Sequence, residues 1–248
     1  MKTIINPAYE GMRDFIKSLP GRFDKEGTLI HDGRNKIRVF DVDGVQLNVK
    51  RYHRPAPLNR LVYSFLRKPK GLRAYEYPAR LAEAGIETPE PVAYIEERES
   101  GMITDSYFVS IQCPYGNAMY GFGNADPESC REFIGAFVRF MARTHEAGIL
   151  HLDLSPGNVL YRHDADGWHF SLIDINRMRF GKVDIPTGCA NFARLWGQPG
   201  FFRILGEEYA AARHADAGEC VRMVTEARNR FWRRFVRRHE AAYNLRFE

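Results

Sequence analysis

The stretch His151-Leu152-Asp153-Leu154-Ser155-Pro156-Gly157-Asn158-Val159-Leu160, with Leu172-Ile173-Asp174 shortly after it, constrains this chain more than any other. Two apolar segments bracket a polar loop that carries an Asp and, five positions on, an Asn. Leu160-Tyr161 then leads through the turn His163-Asp164-Ala165-Asp166-Gly167 into Trp168-His169-Phe170-Ser171-Leu172-Ile173, which reads as a hairpin. A hairpin returns its second strand beside its first. Asn158 and Asp174 are therefore expected side by side, close enough to share one cation. The plain alternative is a polar loop in which His151 and Asp153 are only turn and cap residues.

Ahead of this loop, Tyr9 to Leu19 reads as a short amphipathic helix ended by Pro20-Gly21. Thr28–Ile30, Lys36–Phe40 and Val45–Lys50 read as three strands of an antiparallel meander, joined by the Gly- and Asp-bearing turns His31–Asn35 and Asp41–Gly44. Alternation puts Leu47 and Val49 on one face and Lys50 on the other. An ordinary edge lysine is one account of Lys50; a lysine that holds the α- and β-phosphates of a nucleotide is the other. After a basic linker, Arg51 to Gly71, a helix is expected from Leu72 to Gly85, starting or kinking near Pro78. Glu76 lies on it, as a solvated acid paired with a nearby Arg or as the ion-pair partner that orients Lys50. Ile86 to Glu96 is a turn entering a strand, Glu97 to Gly101 a further turn, and Tyr107 to Gln112 a fifth strand. Cys113-Pro114-Tyr115-Gly116-Asn117 breaks the pattern and reads as the hinge between domains of residues 1–113 and 114–248. An adenine ring there would meet backbone N–H and C=O groups from Ile111 through Gln112 to Cys113.

The second half is mainly helical. Asp126-Pro127-Glu128 is a capped helix start. Phe133, Phe137, Phe140 and Met141 then recur at helical spacing as core, and Gly148 ends the helix. Beyond Asp174, Arg177 and Arg179 belong to a solvated turn or contact an acidic acceptor or the phosphates. Asn191–Trp196 and Phe201–Ala212 read as helix, split near Pro199-Gly200. Val221 to Phe235 is a basic amphipathic helix with Val221, Val224, Phe231 and Phe235 on one face. That face either packs on the domain or lies on an anionic membrane surface.

Composition narrows the classes. Across 248 residues, 44% are hydrophobic and 27% charged, as in a globular chain with room for a sizeable core. No apolar run reaches the length of a membrane span, and the start, Met1 to Pro7, lacks the apolar core of a signal peptide. Cys113, Cys130, Cys189 and Cys220 are scattered, form no C-x-x-C pair, and read as free cytosolic thiols. A net charge of +5 and a pI near 9.0 favour an anionic partner. Nucleic acid is not expected, since no recognition module accompanies the charge.

Phosphoryl transfer from a nucleotide needs a carboxylate beside the accepting hydroxyl and oxygen ligands that hold Mg²⁺ against the phosphates. The loop is similar to the H-x-D-x-x-x-x-N catalytic loop of kinases, with Asp174 where the Asp of Asp-Phe-Gly stands. With Lys50, Glu76, Asp153, Asn158 and Asp174 in that order, the chain resembles the protein-kinase-like superfamily. More narrowly it resembles the lipopolysaccharide kinases that act on Kdo or heptose of the inner core. The phrases that carry this are Asn48-Val49-Lys50-Arg51-Tyr52, Ala84-Gly85-Ile86-Glu87-Thr88-Pro89-Glu90-Pro91, the catalytic loop, and Ile173-Asp174-Ile175-Asn176-Arg177. The likeness covers roughly residues 25 to 200.

The resemblance implies an α+β, bilobal protein-kinase-like fold: an N-terminal antiparallel five-stranded sheet with one helix, then a mainly helical C-terminal lobe. It implies ATP and Mg²⁺ as cofactors, a sugar or glycolipid acceptor, and a cytoplasmic protein, peripheral on the inner membrane. Asp153 would orient the hydroxyl and accept its proton, Asn158 and Asp174 would hold the metal, and Lys50, braced by Glu76, would grip the phosphates. The glycine-rich turn is reduced to Gly27 and Gly33, with Arg34 beside it to help cover the phosphates. Leu152 stands where protein kinases carry Arg, and no Ala-Pro-Glu segment follows, which argues against a peptide platform. A kinase for an antibiotic or amino sugar, or a pseudokinase binding module, are the rival readings.

Overall fold

The sheet of the first half is built outward from one tight hairpin. Lys36–Val42 and Val45–Tyr52 pair antiparallel, with Val42 opposite Val45, so Asp43 and Gly44 alone make the turn. Both have positive φ, 53° and 81°, the geometry whose twist matches the flanking strands and which Asp-Gly adopts readily. In a computed structural model of the chain, residues 1–247 are described, with Asn59 as backbone only.

Two compact units result: residues 1–83 with 88–114, and residues 84–87 with 115–248. The first contains β1 (Lys2–Ile5), α1 (Arg13–Arg22), β2 (Thr28–Asp32), β3 (Lys36–Val42), β4 (Val45–Tyr52), α2 (Pro57–Phe65), α3 (Lys70–Glu83), β5 (Pro91–Glu99) and β6 (Met102–Ile111). The strands form a six-stranded antiparallel sheet in the order β1-β5-β6-β4-β3-β2. Ile16, Leu19 and Phe23 of α1 and the turn after it pack with Phe40, Leu47, Val49, Ala93, Ile95 and Val109 in a fully buried cluster. Each such side chain contributes about 1.5–3 kcal/mol relative to exposure. On the other face Gly71 of α3 lies against the Tyr94 ring, so close that a Cβ there would be 2.8 Å from it.

Several expectations change here. The sheet has six strands, because the short Lys2–Ile5 segment pairs with β5; four residues give too little alternation to stand out in the sequence. Three helices accompany it instead of one. The basic linker folds as α2, with Pro57 at its first turn. A 3₁₀ stretch, Pro7–Met12, precedes α1, which continues through Pro20-Gly21 to Arg22. The third helix, α3, likewise runs unbroken through Pro78. Lys50 is no edge residue: β4 lies between β3 and β6. The β5–β6 turn narrows to Ser100-Gly101, both at positive φ.

The second unit contains β7 (Asn117–Ala118), α4 (Arg131–Glu146), β8 (Ile149–His151), β9 (Val159–Asp164), β10 (Gly167–Leu172), β11 (Met178–Phe180), α5 (Ile185–Asn191), α6 (Pro199–Arg213) and α7 (Ala217–Phe235). Residues 84–87 belong to it because the Glu87 carbonyl accepts from Leu172 N–H at 3.0 Å and its carboxylate accepts from the Tyr115 hydroxyl at 2.8 Å. The expected α4 stripe is buried, with Phe133 and Phe137 stacked near Phe170. The helical stretches are separated just ahead of Pro199, as expected; Pro199 opens α6 at its first turn, and α5 begins at Ile185, capped by Asp184.

The terminal helix packs on its unit, the first of its two expected courses, through a different stripe. Its buried stripe is Cys220, Val224, Arg228 and Trp232, one helical row away from the one expected, and it packs within the unit. Arg228 is buried with it, donating to the Gly197 carbonyl at 3.0 Å and lying over the Phe202 ring at 5.0 Å. Of the expected face, Val224 is thus buried inside the fold, while Val221, Phe231 and Phe235 are half-buried.

Candidate active site

The loop between β8 and β9 takes its shape from His151. Strand β8 pairs with β11, Met178 opposite His151, so the imidazole is fully buried. Its Nε2 lies 3.0 Å from the Ile173 carbonyl, which can only accept, so Nε2 carries the proton. Nδ1 then accepts from the Asp153 backbone N–H at 3.1 Å. Burial pushes the ring below the ordinary histidine range, against the pull of the Ile173 carbonyl, Asp174 and Asp153. A neutral ring is the form that accepts and donates at once. His151 therefore ties the start of the loop to the segment that presents Asp174.

The hairpin does what its sequence implied. In β9–β10, Val159 stands opposite Leu172, and Ile173 N–H donates to the Asn158 carbonyl at 3.0 Å. Asn158 and Asp174 thus flank the base of one hairpin. The Asn158 amide NH₂ donates to the Asp153 carbonyl at 2.8 Å, which fixes the rotamer and orients its Oδ1 as the end presented to a ligand. Asp174 has left-handed backbone, φ 55° and ψ 41°, unusual outside glycine and a feature that clusters at functional sites. Its carboxylate accepts from the side-chain amide of Asn176.

Asp153 carries two guanidinium groups. Arg194 reaches one carboxylate oxygen at 2.6 Å and Arg177 the other at 3.4 Å. Arg177 was among the residues the sequence offered for an acidic acceptor; Arg194, in the turn after α5, gave no such signal. Neither did the chain of bonds below the loop. Arg213 donates to the Tyr209 hydroxyl at 2.7 Å, and Tyr209 meets His145 Nδ1 at 2.9 Å. His145 Nε2 meets Asn191 Oδ1 at 3.1 Å, and Asn191 donates to the His151 carbonyl at 2.9 Å. Burial pushes His145 down to about 4, so the ring is neutral. With a neutral ring all four bonds are satisfied when the hydroxyl donates to Nδ1 and Nε2–H donates to Asn191. These residues lie apart in sequence at no motif spacing, so only the fold brings them together.

In the first unit, Lys50 shares a sheet face with Asn48 and Tyr52, its ammonium 5.3 Å from the Tyr52 ring centroid. Arg51, on the opposite face, is buried over the Phe23 ring and paired with Asp24 at 2.7 Å. Glu76 is held by the Lys68 ammonium at 2.7 and 3.0 Å. Gly33 and Arg34 form the exposed β2–β3 turn, and the His31 ring crowds Gly33 where a Cβ would be 2.7 Å away. The Gln112 side chain accepts from Asn48 at 2.8 Å, and its backbone N–H continues the pairing to Gln46 O, with Cys113 next in line.

The family model described as "Lipopolysaccharide kinase (Kdo/WaaP) family" matches residues 24–184, well over half of the chain. The chain belongs to the lipopolysaccharide kinase (Kdo/WaaP) family. This Kdo/WaaP-family chain aligns with a solved chain described as "WaaP in complex with acyl carrier protein" at a TM-score of 0.62 and 17% identity, covering 97% of this chain and 100% of that one. It aligns with a solved aminoglycoside-3'-phosphotransferase of type VIII at a TM-score of 0.56 and 16% identity, covering 88% and 99%. At those identities the likeness shows a protein-kinase-like fold. A search of curated protein sequences gives no significant match. As a kinase-family member the chain is a phosphotransferase, and no helix among the described residues is long and apolar enough to cross a membrane.

The residues at the base of the β9–β10 hairpin fit magnesium. Among the described residues no cluster of three His, Cys, Asp or Glu exists that would cage a metal unaided. Mg²⁺ instead takes one or two protein oxygens and completes its shell with substrate phosphates and water, and Asn158 with Asp174 is such a pair. Beside Asp174, Asn176 Oδ1 is a buried acceptor with no hydrogen-bond partner among the described residues.

Proposed function

We propose that this protein transfers the γ-phosphoryl group of ATP to a sugar hydroxyl of the lipopolysaccharide inner core, on Kdo or heptose. The observation that carries the reading is the base of the β9–β10 hairpin, where Asp153, Asn158 and Asp174 are bound to one another through His151, Ile173 and the Asn158 amide. Asp153 orients the accepting hydroxyl and takes its proton. Asn158 and Asp174 hold Mg²⁺, which when bound neutralises charge on the phosphates. Lys50 grips the α- and β-phosphates, Glu76 steadies it, and Gly33-Arg34 covers them. The backbone of Gln112 and Cys113 reads the adenine. Most of the acceleration comes from positioning and charge.

The arginines on Asp153 favour an anionic acceptor over a cationic aminoglycoside. Arg177 and Arg194 place positive charge where the acceptor hydroxyl must approach, and a polycationic sugar would be repelled there. The protein is proposed to work in the cytoplasm at the inner membrane, with acyl carrier protein, taken over from the WaaP neighbour, as a partner to test by co-purification.

The test is mass spectrometry of a Kdo-bearing lipid A–core acceptor after incubation with protein, ATP and Mg²⁺. A gain of one phosphate is expected, and Asp153→Ala should lower the rate by orders of magnitude while nucleotide still binds. Phosphate transfer to an aminoglycoside but not to the core sugar would move the acceptor class. Near-normal turnover by Asp153→Ala would remove that residue from its role.

A further inference from the structure

Helix α2 is built inside out. Its inward residues are polar: Ser64 Oγ accepts from the Ile103 N–H of β6 at 3.0 Å, and Arg60 Nε donates to the Ile103 carbonyl at 2.8 Å. Arg60 also reaches the carbonyls of Glu99 and Met102 at 3.2 and 3.4 Å. At 100° per residue, Leu58, Leu61, Val62, Phe65 and Leu66 fall on the opposite arc. Leu58 is 76% exposed, Leu61 49%, Phe65 65% and Leu66 79%. A helix anchored by hydrogen bonds with its leucines in water is the reverse of what a soluble surface requires, and a contiguous apolar patch of this kind marks an interaction site.

The surroundings say what covers it. From residue 44 to residue 75 the chain has no Asp or Glu, and Arg54, Arg67 and Lys68 flank the helix at its two ends; Arg54 is paired with Glu99 and Lys68 with Glu76, so the excess positive charge at the patch is carried by Arg67. Arg67 and Lys68 are exposed beside Phe65 and Leu66. Long cationic side chains beside large apolar ones suit a lipid interface, where the stems lie along the acyl boundary and the charges meet phosphate headgroups. The apolar face is the outer side of one helix, turned away from β6. A bilayer receives such a face without shape complementarity, whereas a protein partner must match it in shape.

We propose that α2 is a membrane-docking helix that lies in the interface of an anionic phospholipid bilayer, with Leu58, Leu61, Phe65 and Leu66 inserted and Arg67 at the headgroups. This places the docking element in the first unit. It stands apart from the proposed reaction, since an Asp153→Ala protein presents the same face.

The experiment is flotation of the full chain with vesicles of phosphatidylcholine containing phosphatidylglycerol, against phosphatidylcholine alone. The wild type is expected to float with the anionic vesicles. The Leu61→Ser/Phe65→Ser variant, whose side chains are outward and whose melting temperature is checked, should partition about a hundredfold less. Arg67→Glu should weaken binding by about tenfold, and added salt should weaken the wild type. The proposal is overturned by a wild type that stays in solution, by equal flotation on phosphatidylcholine alone, or by a double variant that floats as the wild type does. It is also overturned if the double variant keeps vesicle binding but loses purified acyl carrier protein in a pull-down, because the face then belongs to a protein.

Discussion

Acid should weaken this fold through one buried imidazole, and the amount follows from its surroundings. His145 is 1% exposed and accepts the Tyr209 hydroxyl proton while donating to Asn191. Charging the ring would turn Nδ1 into a donor and leave that hydroxyl proton without an acceptor, in an apolar site that already holds Arg213 close by. Burial, first, and Arg213 therefore lower its pKa from 6.5 to about 4, with Asn191 opposing. Between those values the unfolded chain binds a proton that the folded chain refuses, so stability is fully present above pH 6.5 and falls as pH drops towards 4. From pH 7 to pH 5 the loss from His145 is about 2 kcal/mol. The carboxylates held low by partners, Asp24, Glu26, Glu128, Asp164 and Asp184, lose their contribution only at lower pH, as it falls through their depressed values. His151 acts in the same direction as His145, so a variant is needed to separate them. Urea unfolding of the wild type and His145→Gln at pH 7 and pH 5 does so. The variant is expected to be about 1–2 kcal/mol less stable at pH 7, having lost an acceptor for Tyr209. Between the two pH values it should fall by about 2 kcal/mol less than the wild type. Equal falls in both proteins would refute the assignment of a neutral His145 at the centre of the bond chain.

Asp174→Asn should abolish Mg²⁺-dependent nucleotide binding while leaving the fold intact, read by calorimetry with and without the metal; unchanged affinity would argue against its role. Arg194→Ala should raise KM for the anionic acceptor about tenfold or more, the worth of a charge-assisted contact, with KM for ATP unchanged. Gly188→Ala should destabilise by about 1–3 kcal/mol or more, because its Cβ would fall on the Tyr209 hydroxyl, and a melt equal to that of the wild type would contradict that packing.

How much could be read in advance depended on how local each feature is. The catalytic loop and its hairpin were legible because Asp153, Asn158 and Asp174 lie within 22 residues, joined by a turn whose register Val159 and Leu172 settle. Lys50 was legible as a face assignment, since alternation alone separates it from Leu47 and Val49. The β1 strand, the helix within the basic linker and the true stripe of α7 were not. Four residues carry too little pattern, exposed leucines look like core until a sheet is found beneath the other side, and neighbouring helical rows differ by one position.

By itself the sequence determined the local chemistry of this protein: which acids and amides share a hairpin, where tight turns fall, and which family it joins, all properties of spacing along the chain. Only the tertiary structure decided that Arg194 and Arg177 converge on Asp153, that a bond chain from Arg213 through Tyr209, His145 and Asn191 supports the loop, and that α7 packs on its unit while α2 shows its apolar side. Those depend on long-range packing. A hydrogen bond between residues 40 or 64 positions apart, as in Asn191 to His151 and His145 to Tyr209, exists only after the elements that carry them have buried their apolar faces.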